Sequence, residues 1–222
     1  MVFTTPLYDK RVQLQKDPLP FTIEVIGVFL ILSAALLISG SVLNLVSIKT
    51  REGLTRVIGR QAFLLIFCPG IVVHEFGHWI MAHVFLHRPV ETKWCDLDAS
   101  DGSHGYVQLQ KREVPRLFYI LPMWQMMGEL FIGIAPLVVG PMLLLTLFRY
   151  VVPGGSIFFR HPTPHTFPAL TPQLWIWSYF AIATIAHIEL SPADLKGSWK
   201  GFFITILCTA FWASFYAKFF LK

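Results

Sequence analysis

The chain has 222 residues, 55% of them hydrophobic and only 14% charged, with a formal net charge of +5. Soluble domains average about 45–50% apolar and about 25% charged residues, so an ordinary water-facing surface is excluded, and the 20 Phe and 7 Trp exclude a disordered chain. The 18 basic residues stand singly or in pairs at the ends of apolar runs, the flanking position of membrane spans, so no nucleic-acid partner is expected.

Residues 1–20 carry Asp9, Lys10, Arg11, Lys16 and Asp17 and no apolar core, which does not read as a signal peptide. Residues 25–48 hold no charge and suffice to cross a hydrocarbon core of about 30 Å. A second apolar stretch, residues 61–86, is interrupted at its centre by His74-Glu75-Phe76-Gly77-His78, and Pro69-Gly70 upstream predicts a kink. Residues 90–110 change pattern. Val90, Thr92 and Trp94 alternate with Glu91, Lys93 and Cys95, and beyond a turn-rich 99–103 segment Val107 and Leu109 alternate with Tyr106, Gln108 and Gln110. Two strands around Asp101-Gly102 predict a β-hairpin at the interface or against the helices.

Residues 117–148 are apolar apart from Glu129 and, at about 48 Å as a helix, too long for one span. Pro122 is the expected division, leaving an interfacial piece and a third span from about Gly128, with Pro136, Gly140 and Pro141 inside. After a Pro/Gly/His loop at 149–172, residues 173–190 and 201–217 read as fourth and fifth spans. The expected fold is therefore an all-α polytopic membrane protein of about five transmembrane helices, with a small β-hairpin after the second. Its parts are an N-terminal segment with the first helix (1–60), a membrane core (61–200) and a C-terminal helix (201–222). Cys68, Cys95 and Cys208 are odd in number and contain no Cys-x-x-Cys, so they predict neither a disulfide framework nor a zinc ribbon.

The H-E-x-x-H motif carries the chemistry. Residues four apart on a helix share a face, so His74 and His78 can ligate one metal, for which zinc is the expected ion. Glu75 lies about 100° from His74 and about 60° from His78, beside the metal, where a carboxylate acts as general base. Charges at bilayer depth are costly and usually functional. Gly77 costs about 1 kcal/mol of helix propensity and admits a close backbone or substrate. His83 and His87, a second i,i+4 pair, point about half a turn away, lack a Glu, and read as interfacial histidines. Catalytic zinc takes three protein ligands, and the residues leave Glu129, Glu189 and Asp194 open as the third. Asp194 follows Pro192 and precedes Gly197, a broken helix of the kind that lines protein or a wet cavity at membrane depth.

The intramembrane H-E-x-G-H, the hairpin, Gly133-Ile134-Ala135-Pro136 with Gly140-Pro141, and Asp194 after Pro192 together resemble the site-2 protease family, intramembrane zinc metalloproteases, over about residues 61–200. The resemblance implies a three-helix catalytic core, Asp194 as the ligand joining His74 and His78 on zinc, and membrane-embedded segments of other proteins as substrates. The family's customary Asn is absent from the Gly-Pro helix, Asn44 being the only Asn, and Gly follows Asp194 only at position 197. His187 takes roughly the place of the family's upstream polar Asn and is expected to stabilise a developing oxyanion. The hairpin suits an extended substrate held by strand addition. The alternative is a catalytically inactive relative serving as a membrane scaffold. A metal transporter is disfavoured because no Asp/His ladder crosses the other spans.

Overall fold

A long uncharged run with few helix breakers makes a long helix. In the computed structural model, which describes residues 19–96, 104–113 and 120–220, the first apolar run lies within α1, Leu19–Ile58. Its 40 residues reach about 60 Å, about twice the thickness of a bilayer core. Gly59, at φ 81°, turns the chain in the left-handed region that favours glycine. Helix α2, Arg60–Val84, follows and runs through Pro69 without ending. It is the innermost long helix: 39% of its apolar window is buried within the protein, against 11% for α1 and 22% for the C-terminal helix.

The hairpin pairs β1, His87–Lys93, with β2, Tyr106–Lys111, antiparallel from His87 opposite Lys111 to Lys93 opposite Tyr106. Val90 is the unpaired residue of a bulge between Pro89 and Glu91, beside a proline that has no N–H for the ladder. The expected Asp101-Gly102 turn and the N-terminal residues 1–18 lie outside the described residues. Cys95, just past β1, packs on the buried cluster of Phe63, Leu64 and Ile71 in α2. The hairpin thus lies against the motif helix.

Helices α3, Ile120–Gly133, and α4, Ala135–Val151, meet at a 63° bend. The division of this apolar stretch falls at Ile134, not at the expected Pro122. Pro122 sits in the first turn of α3, where a missing N–H costs no helical bond. Pro136 cannot supply the N–H that Ile132 O would accept in a continuous helix. The short α5, Gly155–Arg160, and a 3-10 turn at Pro164–Thr166 lead to α6, Pro172–Ile185. At 14 residues, about 21 Å, α6 falls short of a full crossing, and residues 186–191 form an irregular strap rather than the rest of a fourth span. Helix α7 then runs from Pro192 to Phe220, starting well before the expected residue 201. Among the described residues, α1, α2 and α7 are long and apolar enough to cross a membrane, making four with the bent pair counted as one span.

Two close approaches fix this packing. A Cβ on Gly70 of α2 would stand 1.8 Å from Ala183 O of α6, so these backbones touch. Leu130, Ile134 and Leu190 form a buried cluster with Phe29, Leu36 and Leu37 of α1, joining the first helix to the bend and the strap.

Candidate metal centre

Among the described residues, His74, His78 and Asp194 bring one ligand atom each within 4.8 Å of one another, a candidate metal-binding triad. The two histidines come from successive turns of α2, and Asp194 from the first turn of α7. Each is oriented by a second group. His74 Nδ1 donates to His187 O at 2.6 Å, and His78 Nδ1 donates to Ile132 O at 2.8 Å. Both acceptors are carbonyls, so the proton on each neutral ring is on Nδ1, and each Nε2 presents a bare lone pair. Asp194 Oδ2 accepts from Ser191 N at 3.0 Å and from Ser191 Oγ at 2.6 Å, which leaves Oδ1 to face His78.

These acceptors converge. The two Nε2 atoms are 3.2 Å apart, Asp194 Oδ1 is 3.4 Å from His78 Nε2, and Oδ2 is 4.0 Å from His74 Nε2. Three lone-pair donors so close repel one another unless a shared proton or a metal cation lies between them. A tetrahedral ion with bonds of about 2.0–2.2 Å has ligand–ligand edges of about 3.3–3.6 Å; the two edges at His78 Nε2 lie close to that range, and the His74–Asp194 edge is wider at 4.0 Å. Hydrogen-bonded outer partners on every ligand are the usual support of such sites.

Both orienting carbonyls come from helix interruptions. Ile132 O is released by Pro136, four residues on. His187 O lies in irregular backbone, with Ser191 N held by Asp194. Ser191 and Asp194 also form a reciprocal cap, Asp194 N donating to Ser191 Oγ at 3.1 Å, with Pro192 at the first helical position.

Glu75, 7% exposed, borders a cavity of about 860 Å³ together with His74, Asn44, Arg51, His104 and His187. The hairpin closes on it: a Cβ at Gly105 would lie 3.1 Å from Glu75 Cγ. The close neighbour of Gly77 is the backbone of Ala135-Pro136, 3.3 Å from a Cβ placed there. The His74–Glu75 part of the motif thus borders a cavity whose wall carries several polar and charged side chains.

The remaining candidates separate. Glu129 is outside the triad; its Oε1 pairs with Lys111 Nζ at 2.6 Å, beside a smaller hollow of about 270 Å³ that also reaches Asp194. Glu189 is buried and pairs with Arg51 Nη2 at 3.0 Å. His187, 5% exposed, donates from Nδ1 to Ala183 O at 3.1 Å. A neutral His187 therefore offers an acceptor at Nε2, not the donor that an oxyanion requires; its carbonyl is what touches a ligand. The His83/His87 pair is not helical, because α2 ends at Val84. His83 is exposed, while His87 is buried at the start of β1, where burial holds its pKa below the ordinary value. No family model, curated protein or solved structure matches the chain.

Residue-level reading of the sequence passed over Ser191, Ile132, Gly105 and Arg51. The first two have local signals. Ser-Pro-Ala-Asp has the spacing of a capping box, and a proline at 136 frees the carbonyl at 132.

Proposed function

We propose that the chain is a multi-pass intramembrane zinc metalloprotease of the site-2 protease kind, hydrolysing peptide bonds in or near the transmembrane segments of other membrane proteins. The observation that carries this is the convergence of His74 Nε2, His78 Nε2 and the Asp194 carboxylate within 4.8 Å, with both Nδ1 atoms committed to carbonyls and Glu75 on the adjoining cavity wall. Two imidazoles and a carboxylate are a donor set suited to catalytic zinc with one position left open.

Zinc held there would supply Lewis acidity toward a water and toward the scissile carbonyl. The Glu75 carboxylate takes a proton from the attacking water and later delivers it to the departing amine. His187 O and Ile132 O hold the two imidazoles in one tautomer, and Ser191 holds Asp194. A helical substrate hides its carbonyls in hydrogen bonds, so it must be locally extended to react. The hairpin, with Gly105 against Glu75, is placed to pair with such a segment by strand addition.

The test is metal analysis of purified wild type and Glu75→Gln, with cleavage of a defined membrane-anchored substrate. Wild type and variant should each carry one zinc, while cleavage falls about 10²–10⁴-fold in the variant, the usual contribution of a general base. Zinc-loaded wild type that cleaves nothing would instead support a membrane scaffold, and a chain without zinc would remove the reading altogether.

A further inference from the structure

The strap of residues 186–191 touches two of the three ligands, through His187 O on His74 and Ser191 on Asp194. It is not a helix, so its own ladder cannot hold it in place. One face of α1 does. Ser47 Oγ donates to Ala186 O at 2.9 Å, Arg51 Nη2 meets Glu189 Oε1 at 3.0 Å, and Leu190 lies over Gly40, where a Cβ would come within 2.5 Å of Leu190 Cδ1. Positions 40, 47 and 51 are seven and four residues apart, which places them within about 40° on the helix. A single stripe of α1 is therefore matched to the strap at its start, middle and end.

The middle tie is the consequential one. Glu189 is 8% exposed, and a carboxylate so buried needs its cation. Without Arg51 the strap relieves the charge by turning Glu189 toward water. His187 lies two residues before Glu189 and Ser191 two residues after it, so that movement displaces the outer partners of both His74 and Asp194. We infer that Arg51, acting through Glu189, is a positioning residue of the metal centre, so that the first helix sets the metal geometry from outside the motif helices. This rests on the triad being a metal centre, as proposed above.

Wild type, Arg51→Ala, Arg51→Lys and the double variant Arg51→Met/Glu189→Gln are purified in detergent. Each is titrated with Co²⁺, read by its visible absorption, and with Zn²⁺ in competition. Arg51→Ala should bind both ions about 2- to 30-fold more weakly with an altered cobalt spectrum, and Arg51→Lys should recover part of the loss. The double variant leaves no charge buried and unpaired, so it remains testable even where Arg51→Ala does not fold; the strap still loses its middle tie to α1, so this variant too should bind more weakly, by less than Arg51→Ala. A folded Arg51→Ala or double variant with a lower melting temperature but wild-type affinity and spectrum would reduce the pair to a structural tie and overturn the inference. Wild type that binds neither ion would instead overturn the metal centre itself, a distinct result.

Discussion

The interruptions at Ile134 and at residues 186–191 deliver the same product, a carbonyl free to orient a histidine, by different means. At Ile134 the break is one residue long. Pro136 has no N–H, so Ile132 O is left without a helical donor by covalent structure alone, and His78 Nδ1 takes it. At 186–191 the break is six residues long. His187 O lies in irregular backbone, with Ser191 N held by Asp194, and the strap keeps its place through Ser47 and Arg51 of α1. One half of the site is fixed locally, and the other depends on a distant helix. Distant changes should therefore reach His74 and Asp194 while sparing His78.

Asp194→Asn should have the largest effect. An Asn at this helix start can still accept from Ser191 N, so the cap survives while the anionic ligand is lost. Zinc retained on purification should disappear, a loss exceeding the about 10–100-fold that outer-shell changes produce; zinc bound at wild-type affinity would remove Asp194 from the triad. Ser191→Ala comes next. It deletes the 2.6 Å hydroxyl contact to Asp194 and should weaken zinc binding about 10–100-fold, with about 1 kcal/mol of stability lost with the cap. Pro136→Ala should do less to the metal. It restores an N–H that competes for Ile132 O, but His78 stays in reach, so zinc affinity should fall by no more than about tenfold, the low end for an outer partner. A larger loss at Pro136 than at Ser191 would reverse the contrast between the two breaks.

That contrast also explains what the sequence made legible. His74, Glu75 and His78 stand out because a helix turns their spacing into one face, whereas the residues alone leave Asp194 level with Glu129 and Glu189, and only the family resemblance singles it out. The strap was not legible, because residues 186–190 are mostly apolar; hydropathy counts side chains, not hydrogen bonds, so strap and α6 merged into one expected span. Pro122 draws the expected bend for a related reason: a proline ends a helix or begins one according to its place in the turn. The Arg51–Glu189 pair joins residues 138 positions apart, and no local pattern announces a contact set by how α1 packs on the core.

Glu129→Gln should have the smallest effect, and it sharpens the comparison by acting on the other side of Asp194. The sequence left Glu129 open as the third ligand, yet its carboxylate is held by Lys111 Nζ, which is 48% exposed. Exposed pairs of this kind are worth about 0–1 kcal/mol, so the variant should melt almost as wild type does and keep its zinc. Asp194→Asn and Glu129→Gln make the same change, carboxylate to amide, on the two acids that share the smaller hollow. If zinc follows only Asp194, the third ligand is the one that Ser191 of the strap holds, and through the strap it depends on α1. If zinc follows Glu129, the ligand comes from α3, the helix that ends at the covalent break, and the site would no longer depend on the first helix.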